Sequence, residues 1–181
     1  MNLIMLDNKE AKETQKIGRH MLLLAWVVAL ALLALFFSGV LDKQHNPNQR
    51  VQSSFNEQGT YEVVLQRNRQ GHYVTSGRIN KQPVVFLLDT GATVVSVPEG
   101  IALKLGLKMG PASYANTANG TIKTYATRLD SIGIGNIQLH DIAAHINPHM
   151  SGNEILLGMS FLRYFNFQVD TKNNELVLQR K

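Results

Sequence analysis

Val84-Val85-Phe86-Leu87-Leu88-Asp89-Thr90-Gly91-Ala92-Thr93-Val94-Val95-Ser96-Val97-Pro98 places one acid between two apolar, β-branched runs. Each run has the length and composition of a buried strand, so Asp89 falls on a sharp loop held between strands. An ordinary turn explains Asp and Gly as well, since Asp bonds back to the backbone and Gly accepts unusual backbone angles. The chemical alternative is a carboxylate presented by a rigid support, with Thr90 able to donate and accept hydrogen bonds and Gly91 leaving room for a close neighbour.

Working outward from this loop, short apolar runs separated by turn residues predict a mostly β domain over residues 60–181. Tyr61–Gln66, His72–Ile79 and Pro83–Leu88 read as three strands, with turns at Asn68–Gly71 and Asn80–Gln82, and Val94–Val97 as a fourth. Ile101–Leu107, between Pro98 and Gly106, reads as a short helix. Tyr114–Thr117 and Thr121–Thr127 flank Asn119-Gly120, a dipeptide suited to a two-residue hairpin turn. Strands are expected at Arg128–Ile134, Ile137–Ile146 and Ile155–Leu157, a helical turn at Met159–Tyr164, and a closing hairpin from Phe167–Asp170 and Glu175–Gln179.

The N-terminal third differs. Met21–Val40 contains no charged residue, and a helix of that length spans about 30 Å, the thickness of a bilayer core. It reads as a transmembrane anchor, with a cleaved signal peptide as the alternative, although the apolar run is long for one and only Ser38 and Val40 imitate a cleavage site. Lys9, Lys12, Lys16 and Arg19 precede it and only Lys43 and Arg50 closely follow. By the positive-inside rule residues 1–20 are expected in the cytoplasm and the β domain outside. Residues 41–59 are polar and read as a flexible stalk.

Composition narrows the chemistry. The 181 residues include no cysteine, which removes disulfides, thiolate metal sites and cysteine nucleophiles. The net charge of +5 brings nucleic acid into question, but no basic run or aromatic platform supports it, and none is expected as a partner. His140, His145 and His149 do not fall on one helical face, so no metal is expected. Ser160, in GMSFL, lacks the following glycine of a nucleophile elbow. No cofactor is implied.

FLLDTGATVVSVP at 86–98, the TANGT hairpin at 117–121 and ILLGMSFLRYF at 155–165, in this order and spacing, resemble the retropepsin-like aspartic proteases, and more closely their bacterial membrane-anchored members with a single Asp-Thr-Gly motif. The resemblance covers about Tyr61–Lys181. It implies a single-lobed acid-protease fold: a closed, barrel-like β sheet with a flap hairpin and one or two short helices. It further implies that Asp89 is catalytic, that Thr90, Gly91 and Ala92 support its loop, and that Leu156, Leu157 and Gly158 lie beneath that loop. Ala118, Asn119, Gly120 and Thr121 would form the flap over a bound peptide.

That mechanism needs two carboxylates sharing a proton around a water. This chain offers one such loop, so the active form is expected to be a homodimer with Asp89 of each copy on a twofold axis. The resemblance also suggests that Glu175–Gln179 joins the dimer interface. Ala92 occupies a position where many two-lobed relatives carry a hydroxyl that donates to the carboxylate. Without that donor, hydrolysis is expected to be optimal at mildly acidic to near-neutral pH, and a rate profile peaking below about pH 3 would contradict this. The sequence therefore reads as a membrane-anchored aspartic endopeptidase of a bacterial inner membrane, facing the periplasm. The alternatives are a tethered module that binds extended peptide in the same cleft without cutting it, and a structural envelope anchor.

Overall fold

A computed structural model describes residues 3–55, 59, 61–117 and 120–181 and divides the chain into two compact units, Met1–Asp42 and Lys43–Lys181. Helix α1, Leu3–His45, contains the apolar stretch. Gly18–His45 is long and apolar enough to cross a membrane, and its side chains are exposed. A helix that is apolar all round needs an apolar surrounding, since water offers no favourable contact to any of its faces.

The second unit is built from β1 (Gln52–Phe55), β2 (Tyr61–Gln66), β3 (Val74–Ile79), β4 (Gln82–Leu88), β5 (Val95–Pro98), α2 (Glu99–Lys104), β6 (Ala112–Thr117), β7 (Gly120–Ile134), β8 (Ile137–Asn147), β9 (Glu154–Leu157), α3 (Met159–Leu162), β10 (Phe165–Asp170) and β11 (Glu175–Arg180). The strands form a four-stranded sheet, β1-β2-β11-β10, and a seven-stranded sheet, β3-β4-β9-β5-β8-β7-β6. The larger sheet closes on itself where β3 pairs with β7, through Arg78 with Gly133 and Ile79 with Ile132. Closure removes two free edges and leaves an interior filled by Phe86, Val97, Leu129, Ile146, Ile155 and Leu157.

The β reading from sequence corresponds closely to these elements, with informative departures. Residues 121–134 form part of one continuous strand, β7, rather than two. α2 begins two residues earlier than expected, directly after Pro98, whose fixed φ suits a helix start. Its end is closed by the Gly106 amide on Leu103 O and the Leu107 amide on Ala102 O, with Gly106 at φ +67°.

The segment 41–59, read as a flexible stalk, departs most from expectation, because its residues from His45 to Phe55 hold ordered contacts. α1 continues to His45, and Asn46 and Asn48 are buried. The Asn48 amide donates to Gln66 O (2.8 Å) and Val74 O (2.7 Å), while its Oδ1 accepts from the Gln66 amide (2.7 Å). Asn46 Nδ2 donates to Ser76 Oγ, Asn68 Nδ2 donates to His45 O, and His45 pairs with Glu154. β1 then adds to β2 antiparallel. Polar side chains here satisfy backbone groups between strands instead of meeting water. Asn48→Ala leaves three such groups without their partner and is expected to lower stability by about 2 kcal/mol. Thermal unfolding followed by circular dichroism checks this, and an unchanged midpoint would mean that water replaces the amide freely.

A second correction concerns β11. Glu175–Gln179 is paired on one side with β2 and on the other with β10. Both of its edges are used within the chain, so it has no free edge for another copy. Its turn forms because the Asp170 carboxylate accepts from the Lys172 and Asn173 amides and from Asn173 Nδ2.

Candidate active site

The loop after β4 is anchored by its own ends. The Leu88 amide donates to Tyr73 O (3.0 Å) and the Asp89 amide to Leu157 O (3.2 Å). β9 lies between the two strands that flank the loop, parallel to β4 with Leu88 opposite Leu157, and antiparallel to β5 with Ser96 opposite Leu156. The loop from Asp89 to Val94 must therefore cross over the end of β9.

That crossing is tight. The Met159 amide donates to Ala92 O (2.8 Å) and the Ser160 amide to Thr93 O (3.0 Å), so the start of α3 holds the far side of the loop. Gly158 lies between, where an added Cβ would stand 2.4 Å from Val94 O and 2.6 Å from Ala92 O. Glycine is required there by space, since its φ of −87° is open to any residue. Within the loop, Asp89 Oδ1 accepts from the Gly91 amide at 2.9 Å, Asp89 is half-buried, and Thr90 and Gly91 are exposed. The loop is fixed at its base, and the residue that carries the carboxylate is partly open to solvent.

Ser160 has a part that sequence reasoning did not assign. Its hydroxyl donates to Ala143 O (2.8 Å) and accepts from the Val95 amide (3.0 Å), and the residue is buried. It ties α3 to β5 and β8 beneath the loop, using both capacities of a hydroxyl. No local pattern marks such a residue, because both partners are distant in sequence.

Two further aspartates, Asp141 and Asp170, are committed elsewhere. Arg128 beside Asp141, through its hydrogen bond and its charge, holds that carboxyl below the usual carboxylate range. The Asn173 and Lys172 amides do the same for Asp170. Neither stands in a loop comparable to that of Asp89. The three histidines make separate contacts: His140 with Asp130 O, and His145 Nδ1 with Thr124 Oγ at 3.1 Å, with burial lowering the His145 pKa, while His149 is exposed. Among the described residues no group of three or more His, Asp or Glu converges on a metal position.

β6 and β7 form the expected hairpin. Ala118 and Asn119 lie outside the described residues. Thr117 pairs with Gly120 and Asn116 with Thr121, so Gly120 enters β7 rather than standing in the turn as expected, and Thr121 Oγ donates to Asn116 Oδ1 at 2.8 Å. At the other end, the Gly110 amide on Ala126 O, the Ala126 amide on Pro111 O and Thr127 Oγ on Lys108 O tie the hairpin down.

The site lies within the part of the chain that matches known proteins. A family model described as "gag-polyprotein putative aspartyl protease" matches residues 75–164, from β3 through α3. A Sinorhizobium protein is 33% identical over 108 residues, covering 58% of this chain and 46% of its own length. A Rickettsia prowazekii protein is 32% identical over 114 residues, covering 60% and 48%. The chain thus spans about half the length of the curated relatives it matches. The crystal structure of a retropepsin-like aspartic protease from Rickettsia conorii superimposes with a TM-score of 0.54 at 27% identity, over 72% of this chain and 95% of that one.

Proposed function

Because the chain belongs to the retropepsin-like aspartic protease family, we propose that it is an aspartic endopeptidase whose active form is a homodimer. The observation that carries this reading is the Asp89 loop, laid over β9 and α3 by hydrogen bonds at Asp89, Ala92 and Thr93. Those backbone bonds hold the residue that bears the carboxylate in one place at the mouth of the crossing, which supports a chemical reading of the acid.

In the dimer, Asp89 of each copy meets the other near the twofold axis and the pair shares one proton, because two charges that close do not both persist. The ionised member takes a proton from a bound water as that water attacks the peptide carbonyl, and the protonated member donates to the carbonyl oxygen. Collapse of the tetrahedral species then releases the amine and the acid. Thr90, Gly91 and Ala92 keep the loop compact, while Leu156, Leu157 and Gly158 support it from beneath. Gly120 and Thr121, together with Ala118 and Asn119, cover an extended peptide whose apolar side chains fill the cleft.

The apolar helix is read as an uncleaved anchor in a bacterial inner membrane, with the N-terminus cytoplasmic and the peptidase domain periplasmic. Two copies in one membrane meet at raised effective concentration. The test is cleavage of a degenerate peptide library across a dilution series of the full-length protein. Specific activity is expected to fall steeply once the dimer dissociates. Activity strictly proportional to protein down to the lowest measurable concentration would speak against a site shared between copies.

A further inference from the structure

The turn between β2 and β3 is built around one side chain. Asn68 Oδ1 accepts from the backbone amides of Gln70 (3.0 Å) and His72 (2.9 Å). The backbone of Asn68 bonds to His72 O and to the Gly71 amide, and Arg67 Nε donates to Gly71 O at 2.8 Å. The turn therefore has one fixed shape, and Arg67, Arg69 and Gln70 stand exposed on it.

This turn is tied to the end of α1. Gln44 and His45 belong to the same compact unit as the β domain. Asn68 Nδ2 donates to His45 O (3.0 Å), and Arg69 Nη1 donates to Gln44 Oε1 (3.3 Å). On the other side the Arg67 backbone amide donates to Asn174 O (2.8 Å), which brings up the β10–β11 turn with its exposed Lys172. A shallow depression of about 440 Å³ lies here, lined by Arg67, Asn68, Arg69, Gln70, Gly71 and Asn174.

Charge at this end is one-sided. Among the described residues Lys43, Arg67, Arg69 and Lys172 enter no ion pair. The neighbouring carboxylates are occupied: Glu154 by His45, Glu175 by Gln66 Nε2, and Asp170 by the amides of its own turn. Asp42 offsets one of the four cations.

We propose that this end of the β domain, with Arg67, Arg69 and Lys172 around the depression, is a docking surface for the phosphate headgroups of anionic lipid. The proposal rests on the reading of the apolar helix as a membrane anchor. Leu41 ends the apolar run, and Asp42–His45 rise about 6 Å at about 1.5 Å per residue. That matches the depth of one headgroup layer, about 5 to 7 Å. Whatever is bonded to Gln44 and His45 then stands at headgroup level. Arginine suits that neighbour, since its planar fork of donors fits phosphate, and each basic side chain near an anionic surface adds about a fivefold preference for it. Because the turn is already rigid, docking orders little that was free. Tyr73 O, just past the turn, holds the Leu88 amide at the root of the Asp89 loop, so a docked turn keeps that loop at a set distance from the bilayer.

The chain has no cysteine, so a fluorophore on Gln70→Cys in the full-length protein in proteoliposomes reports the contact through quenching by a nitroxide carried on the lipid headgroup. Quenching is expected to rise about twofold or more when phosphatidylglycerol replaces part of the phosphatidylcholine. It should return to its starting value with Arg69→Glu and Lys172→Glu together, and at high salt. The same fluorophore on Lys104→Cys, exposed on α2, should not respond to the change of lipid. The double variant should unfold near the parent's midpoint, because both side chains are exposed. Suppose the protein survives an alkaline carbonate wash in the vesicles, but Gln70→Cys responds no more than Lys104→Cys, or the double variant keeps the full response. Then this end is not a docking surface, while the anchor reading stands. If the wash strips the protein from the vesicles, the anchor reading falls and the docking surface falls with it.

Discussion

Asp89→Asn is expected to lower kcat/KM for a peptide found in the library by about a thousandfold or more while leaving the unfolding midpoint nearly unchanged. The two halves of this expectation have separate causes. Asn keeps the shape of the side chain and still offers an oxygen to the Gly91 amide, the contact that folds the loop on itself. In the proposed homodimer, it removes the proton shared between the two Asp89 carboxylates, and one substitution alters both copies. General acid and base assistance disappear together, which sets the size of the loss. Steady-state hydrolysis alongside thermal unfolding separates chemistry from stability. A variant that still cleaves with most of the parent's efficiency would remove Asp89 from the reaction, whereas a variant that melts early would mean the carboxylate holds the loop.

Gly158→Ala is expected to have the largest effect on stability. The added carbon meets Val94 O and Ala92 O at 2.4 and 2.6 Å, and both are backbone oxygens that cannot swing aside. Ala92 O is moreover held by the Met159 amide, so relief requires the loop to lift from β9 or β9 to slide from β4. Overpacking of this kind costs about 3 kcal/mol, or roughly 10 °C in the midpoint for a domain of this size. Hydrolysis measured at a temperature where the variant remains folded should still fall about a hundredfold, because the loop it displaces carries Asp89. An unfolding midpoint equal to the parent's would show that the crossing has slack the geometry does not suggest.

The sequence was legible where structure is set by neighbours along the chain. Tyr61–Gln66 alternates buried and partly exposed residues as its apolar pattern suggests, and its bounds agree with β2. The loop at Asp89 was legible because apolar runs on both sides leave the acid nowhere else to go. Residues whose partners lie far away were illegible. Asn48 looks like linker composition, yet it serves Gln66 and Val74. Ser160 has the residue type of a nucleophile and the position of a strut, which only Ala143 and Val95 reveal. Glu175–Gln179 was readable as half of a closing hairpin, but its place at a dimer interface came from the resemblance alone, and its pairing with β2 on the other side has no local signal. At the β6–β7 hairpin, Asn119-Gly120 announced a turn but did not fix its register to within one residue, since both residues tolerate positive φ.

The same hairpin has a mechanical consequence. Among the described residues β6 pairs with β7 alone, so the arm is joined to the sheet through β7's continuation, the ties at Lys108, Gly110 and Ala126, and the contact of Thr124 with His145. It is a cantilever clamped at one end. Load applied at the free end produces its greatest bending moment at the clamp, so the arm's stiffness resides at Thr124, Ala126 and Thr127 rather than at the tip. The Thr124 hydroxyl meets the His145 ring there, which puts a titratable side chain at the root of the lever. The tip decides what the arm touches, and the root decides how readily it bends.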